Sequence, residues 1–347
     1  MPITVFVTAP KLARAGVDLL ALAQARVIYL NDANNVEEVE HIMASEPIDA
    51  VISRTVELGG KAIRSCPTLK VISKHGVGVS NIDVEAATRR GIPVYVTPGA
   101  NATSVAEMTI ALMLAAARHI GWMNSELHAG RWSRKQDGVE LSEQSLGLVG
   151  LGQVGQRVAR VAQALGMQVH AFDPALRDQP CPVPGVILHA DLHTLLPFSQ
   201  VLSMHVPLNA RTRSMIGAAQ LAQLPRGAIF LNTARGEVVD EPALVASLQS
   251  GHLHAAGLDT MGTEPLPPGH ILTTLPNVVL TPHVGGSTPA ALSQMAAGAA
   301  RNILGWLQGA AVDPSACVNP ETLGVWAAEQ FDRIPTEPFD TVFDSPL

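Results

Sequence analysis

Leu146-Gly-Leu-Val-Gly-Leu-Gly-Gln-Val-Gly-Gln-Arg157 reads as an apolar strand, a glycine-rich turn and the opening of a helix. Its glycines stand as Gly150-x-Gly152-x-x-Gly155. Gly150 has no Cβ and permits a tight strand-to-helix turn. Gly152 lets the backbone approach a pyrophosphate, and Gly155 lets the helix pack close to the strand. Gln153 and Val154 open the helix, whose N-terminal amides and partial positive charge favour an anion. The apolar pattern predicts a strand over 145–149, a helix over 154–165 and a second strand over 168–172. That strand runs into Asp173, eighteen residues after Gly155. A carboxylate there accepts hydrogen bonds from a ribose 2′-OH and repels a 2′-phosphate, which favours NAD over NADP. Arg177 lies nearby and keeps a phosphate-binding alternative open. A bare glycine fingerprint also occurs as a structural turn; here the flanking strand, helix and acid favour dinucleotide binding.

Towards the N-terminus, strand-like runs at 3–8, 26–30, 49–53, 70–73 and 93–96 alternate with helix-like runs at 12–23, 36–44, 60–65 and 84–90. This rhythm predicts a parallel sheet with helices on both faces. Two loops follow strand ends, where ligands collect in open α/β sheets. In the first, Arg54 can fork onto a carboxylate or phosphate, or stand as a solvated surface arginine. The second is Lys74-His75-Gly76-Val77-Gly78. Its glycines allow backbone N–H groups to face an anion in the manner of a nest, or they make an ordinary turn. A nearly wholly apolar helix is expected over 104–119, with Ser104 and Glu107 as a capping box. A helix so apolar must be buried between layers or at a subunit interface.

Towards the C-terminus, a proline-rich connection over 174–185 is expected to be neither strand nor helix. Strands over 201–204, 228–232, 255–258 and 278–281 each hand over polar residues at their C-terminal ends. These are His205-Val206-Pro207, Thr233-Ala234-Arg235, Asp259 and His283 with Gly285. A long alanine-rich helix is expected over 287–307, and the tail 321–347 shows no clear period.

The totals narrow the class. A chain of 347 residues with 47% hydrophobic and 15% charged residues is globular and long enough for two domains. Its net charge of −7, with no clustered basic face, excludes a nucleic-acid partner. The longest apolar run, 110–117, is too short to span a bilayer, so no membrane association is expected. Three isolated cysteines without paired spacing, and no signal-like start, point to a reducing cytoplasmic compartment. No metal is expected.

Arg235, Glu264 and His283 suggest chemistry. A guanidinium holds a carboxylate by two parallel bonds. An imidazole exchanges a proton near neutral pH. A carboxylate on one ring nitrogen fixes the tautomer at the other. Together they would supply a 2-keto acid reductase with an acid for the carbonyl oxygen and a cation for the carboxylate. Singly, each has a bland role as a loop ion pair, a solvated turn acid or a packed histidine.

The ordered motifs His-Gly-Val-Gly-Val-Ser-Asn-Ile-Asp (75–83), Ser-Val-Ala-Glu (104–107), Gly-Leu-Gly-Gln-Val-Gly (150–155), His-Val-Pro-Leu (205–208), Asn-Thr-Ala-Arg-Gly (232–236), Gly-Leu-Asp-Thr (257–260), Thr-Glu-Pro (263–265) and Thr-Pro-His-Val-Gly-Gly-Ser-Thr (281–288) resemble those of the D-isomer-specific 2-hydroxyacid dehydrogenases. The likeness covers residues 1 to about 320 and is strongest to the phosphoglycerate and hydroxypyruvate branch. It implies an α/β fold of two doubly wound parallel-sheet domains. A Rossmann NAD-binding domain over 100–287 would be inserted into a flavodoxin-like substrate domain made of 1–99 and 288–320. It further implies that Arg235 binds the substrate carboxylate, His283 is the acid–base, and Glu264 raises the pKa of His283. Asp259 would contact the nicotinamide carboxamide. His205, Val206, Pro207, Thr212, Thr233, Ala234 and Gly285 would line the cofactor cleft. Arg54, Lys74, His75, Gly76, Val77 and Gly78 would meet the small 2-keto or 2-hydroxy acid from the other domain. Domain closure over the substrate and a homodimer built through the NAD-binding domain are implied as well.

Two departures bear on the substrate. Glyoxylate/hydroxypyruvate reductases tend to carry a basic residue where Asp173 stands. Nothing after residue 320 is long enough for a serine-type regulatory domain, so none is expected. Two other functions stay open: an NAD(H)-binding, corepressor-like module without significant turnover, and a hydrolase using NAD internally.

Overall fold

The computed structural model describes residues 2–134 and 137–324. The chain divides into two compact units, one from its two ends (to Pro98, and from Ser293) and one of Gly99–Leu292.

In the first unit, β1 (Thr4–Val7), β2 (Arg26–Tyr29), β3 (Ala50–Ser53), β4 (Val71–Lys74) and β5 (Val94–Tyr95) form a parallel sheet of order β2-β1-β3-β4-β5. This is the flavodoxin-like order. Successive side chains alternate between faces. Val5, Val7, Ile52 and Val71 therefore pack with Ala296, Ala299, Ala300 and Ile303. Phe6, Val51, Ile72 and Val94 pack on the opposite face with Val39, Met43 and Ile63. Burial on both faces explains why these strands read as unbroken apolar runs.

In the second unit, β6 (Ser145–Val149), β7 (Gln168–Phe172), β8 (Ile187–Leu188), β9 (Val201–Met204), β10 (Ala228–Asn232), β11 (Leu253–Leu258) and β12 (Val278–Leu280) form a parallel sheet of order β12-β11-β10-β9-β6-β7-β8. Counted from its own first strand this is 3-2-1-4-5-6 with a seventh strand added, the Rossmann arrangement. Strand order reverses between β6 and β9. A crevice opens there, and the glycine turn follows β6.

The apolar helix is Ala102–Ala117, beginning two residues before the expected Ser104. The expected capping box does not form, because Asn101 occupies the N-cap and Ser104 lies in the first turn. The Ser104 hydroxyl instead bonds Thr288 Oγ1 at 2.6 Å. Leu112, Met113, Ala116 and Ala117 bury against the sheet. Gly257 permits the close approach, since a Cβ there would stand 2.9 Å from Leu112 Cβ.

The helix Pro289–Leu307 spans the boundary at Ser293, so the second passage between units falls inside a helix. The proline-rich connection contains a 3-10 turn, Pro174–Leu176, capped by the Asp173 side chain. The helix Glu241–Gln249, opened by an Asp240 cap, has no counterpart among the sequence expectations. The tail aromatics Trp326, Phe331, Phe339 and Phe343 lie outside the described residues. No helix among the described residues is long and apolar enough to cross a membrane.

Candidate functional site

The glycine turn has a geometry that its sequence requires. Gly150 has φ +98°, and a Cβ on it would fall 2.7 Å from the His205 carbonyl oxygen. A Cβ on Gly155 would fall 2.4 Å from the Gly150 oxygen, so helix and turn meet backbone to backbone. Gly152 differs: a Cβ there would meet nothing within 4 Å. Packing does not demand glycine at this position, and the space in front of it is open to a ligand. Gly152 is also the N-cap of Gln153–Ala164 and brings no side-chain cap. An open space at a helix N-terminus fits a pyrophosphate. Gln153 Oε1 accepts from Arg157 at 2.9 Å, while Val154 packs partly buried against the sheet core.

Asp173 ends β7 partly exposed. Its Oδ2 accepts the Leu151 N–H at 2.9 Å and its Oδ1 the Ala175 N–H at 3.0 Å. The acid therefore also ties down the glycine turn, and each oxygen keeps a lone pair for a ribose hydroxyl.

His205 follows β9. Its N–H donates to the Val149 carbonyl at 2.8 Å, and its Nε2 lies 2.9 Å from Ser203 Oγ. Burial pushes this imidazole down to about 4. Val206 packs at the edge of the core beneath it, and Pro207 is exposed. The Thr212 hydroxyl donates to the Pro207 carbonyl at 2.6 Å and accepts the Asn209 N–H at 2.8 Å. With its single proton so engaged, it closes the 207–212 turn.

After β10, Asn232 shapes the turn that carries Arg235. Its Oδ1 accepts the Ala234 N–H at 3.0 Å and its Nδ2 donates to the Arg235 carbonyl at 2.8 Å. Thr233 Oγ1 is buried 2.8 Å from Thr109 Oγ1. Gly236 presses on the next loop: a Cβ there would fall 1.9 Å from the Met261 carbonyl carbon and 2.4 Å from Gly262 N. This contact sets the Arg235 turn against the loop that carries Glu264.

Glu264 and His283 meet directly, with Oε2 2.7 Å from Nδ1. Glu264 Oε1 accepts the Met261 N–H at 2.9 Å. Burial pushes the Glu264 carboxyl up, but the hydrogen bonds from His283 and Met261, aided by the His283 and Arg235 charges, carry it below its ordinary value. The His283 side chain is 45% exposed, so the nitrogen not facing Glu264 is open to a ligand.

Asp259 is buried, with 2% of its surface exposed. Its Oδ1 accepts from Thr281 Oγ1 at 2.6 Å and Val284 N at 2.9 Å, and its Oδ2 accepts from Gly285 N at 2.8 Å. Three donors pull the carboxylate under the 281–285 loop. There it holds the loop in which His283 adopts a left-handed φ of +53°. Thr281, Asn232 and Gly236 were not among the sequence candidates; the glycine after the arginine in Asn-Thr-Ala-Arg-Gly was the available signal.

In the first unit, Arg54 N donates to Thr8 Oγ1 at 2.9 Å. Lys74, expected as a cation for substrate, turns its ammonium to the Arg54 carbonyl and to Asn81 Oδ1. Gly76 has φ +134°, as the glycine-rich loop requires. Its N–H donates to Thr97 Oγ1 at 3.1 Å. His75 is buried, whereas Val77 is exposed and Gly78 half-buried. Among the described residues, no group of three or more His, Cys, Asp or Glu could hold a metal ion.

Comparison with known proteins adds four findings. Residues 110–285 match the family described as D-isomer specific 2-hydroxyacid dehydrogenase, NAD binding domain. A hydroxypyruvate reductase of Thermotoga maritima is 42% identical over 261 residues, covering 74% of this chain and 84% of that protein. A D-3-phosphoglycerate dehydrogenase of Methanocaldococcus jannaschii is 45% identical over 237 residues, covering 68% of this chain. The match spans only 45% of that longer relative. Among solved structures, the TT0316 protein of Thermus thermophilus superposes with a TM-score of 0.82 at 35% identity, covering 91% of this chain and 100% of that one.

Proposed function

Because this chain belongs to the D-isomer-specific 2-hydroxyacid dehydrogenases, we propose that it interconverts a small 2-keto acid and its 2-hydroxy acid with NAD(H). The Glu264–His283 pair on an accessible strand end carries the reading. Bound NADH supplies the hydride. Asp173 favours the 2′-hydroxyl form of the cofactor, and the open space before Gly152 receives the pyrophosphate.

Arg235 holds the substrate carboxylate through two parallel bonds and polarises the adjacent carbonyl. Glu264 accepts the Nδ1 proton of His283 and so directs Nε2 to the reacting oxygen. In reduction Nε2 gives that oxygen a proton; in oxidation it takes the hydroxyl proton. Asp259 holds the loop on which His283 stands. In the first unit, the proposal gives Arg54 and the Val77–Gly78 backbone an anion-binding role.

The substrate is a hydroxypyruvate- or phosphoglycerate-like acid, by analogy with the relatives named above. We place the protein in the cytoplasm, which suits its three free cysteines. We further propose a homodimer through the second unit, where Leu114, Ile120, Leu127 and Trp132 are exposed apolar side chains.

The test is NADH absorbance at 340 nm with hydroxypyruvate, phosphohydroxypyruvate, glyoxylate and 2-ketogluconate. Oxidation of NADH with at least one of them supports the proposal. Tight NADH binding without turnover of any would replace it with a regulatory NAD(H)-binding module.

A further inference from the structure

Three side chains converge on the backbone of Arg54. Thr8 Oγ1 takes its N–H at 2.9 Å, and its carbonyl accepts from Lys74 Nζ and from Asn81 Nδ2 at 3.1 Å. Asn81 Nδ2 also reaches Ser53 Oγ at 3.1 Å and Val56 O at 2.8 Å, while Asn81 Oδ1 receives the second Lys74 bond. The main chain of Asn81 takes part too: its carbonyl accepts the Leu58 N–H at 2.7 Å. Residues 53–58 are thus pinned at five points.

Lys74 is only 9% exposed at the end of β4, beside β3 in the sheet. An ammonium that deep is costly unless its protons are bonded. Here it meets a backbone carbonyl and an amide oxygen of its own unit.

The Arg54 guanidinium is placed differently. Among the described residues its one partner is the Lys11 carbonyl at 3.5 Å, the outer limit of a hydrogen bond. Burial pulls its pKa below the ordinary value. A partly desolvated fork of five donors with so weak a partner is poised for an anion.

We propose that Lys74 and Asn81 are positioning residues that lock the Arg54 backbone so that its guanidinium meets an anionic group of the ligand, with Lys74 itself making no contact to that anion. The inference rests on the keto-acid reading above for the identity of the ligand, and on the hydrogen bonds alone for the lock. It also bears on selectivity, since this loop then offers a ligand one cation and not two.

The experiment has two arms on the full chain, with circular dichroism and urea unfolding confirming that each variant is folded. In the first, hydrogen–deuterium exchange is followed in wild type, Lys74→Gln and Asn81→Ala. The lock predicts faster exchange across 53–58 in both variants and unchanged exchange in the glycine turn at 150–155. Unchanged exchange at 53–58 overturns it. If Lys74→Gln does not fold, Asn81→Ala carries the same comparison.

In the second arm, KM and kcat are measured for the best 2-keto acid in Lys74→Gln, Arg54→Ala and the double variant. Each single variant should raise KM about tenfold with kcat nearly unchanged, as expected for the loss of one charged hydrogen bond. The double variant should be no worse than Arg54→Ala, because Lys74 acts through Arg54. Effects that multiply would show Lys74 to be an independent ligand and overturn the proposal. Wild-type protein that turns over no keto acid would remove the substrate reading and Arg54's task with it, while the exchange arm still decides whether the lock exists.

Discussion

Glu264 and His283 are joined by a 2.7 Å contact between Oε2 and Nδ1, and the other oxygen of the same carboxylate holds the Met261 N–H at 2.9 Å. One side chain therefore fixes both the imidazole and the loop from which it reaches that imidazole. Glu264→Gln keeps the shape but replaces one oxygen by an amide group and removes the charge. We predict that kcat falls about 10- to 100-fold, the range of a weakened general acid–base, with NADH affinity unchanged. Steady-state kinetics beside NADH fluorescence titration checks this. A kcat within twofold of wild type would contradict it.

The three glycines of the turn should separate by experiment. Gly150 and Gly155 are closed in by backbone, whereas Gly152 faces open space. Gly152→Ala should leave the melting temperature within about 2 °C of wild type, since no packing is disturbed, yet weaken NADH binding about tenfold or more. Gly150→Ala should lower stability by about 1–3 kcal/mol, from a left-handed backbone combined with overpacking. Equal loss of stability in both variants would show that the space before Gly152 is not a ligand's.

Gly236 is the hidden hinge between the arginine turn and the glutamate loop. An added methyl would collide with the Met261 and Gly262 backbone, which has no flexible end to give way. Gly236→Ala should cost about 1–3 kcal/mol of stability and reduce kcat by more than KM changes, because Arg235 and Glu264 are displaced together. Denaturant unfolding and kinetics on one preparation test this; wild-type values in both would refute it.

Much of this architecture is legible in the residues. Parallel strands buried on both faces must be apolar throughout, and the runs at 145–149, 168–172, 201–204 and 228–232 coincide with the observed strands. The meeting of Glu264 and His283 is legible from residue type and motif resemblance. Other features depend on partners far along the chain. The carboxylate of Asp259 is held by Thr281, Val284 and Gly285, more than twenty residues further on. The Lys74 ammonium bonds the Arg54 carbonyl and Asn81, and the Gly76 amide bonds Thr97. Short local pattern fixes strands and turns; which atom a polar group finally meets is set by tertiary packing.

His205 supplies a pH dependence. Its folded value of about 4 lies below the ordinary histidine value because burial disfavours the charged ring. The unfolded chain therefore takes up this proton first. The stability it contributes is complete above the ordinary value and is lost as pH falls towards 4. Between pH 6.5 and 5 the loss is about 1–2 kcal/mol. Wild type should lose more stability than His205→Gln over this interval in urea unfolding. Parallel losses in the two proteins would count against it.

The central claim is tested most directly by His283→Gln, assayed at 340 nm with NADH and the best 2-keto acid and titrated with NADH alone. Loss of turnover by about 10²-fold or more, the scale of a missing general acid–base, with wild-type NADH affinity is the predicted result. Turnover equal to wild type would show that the proton is exchanged elsewhere and would contradict the assignment of His283.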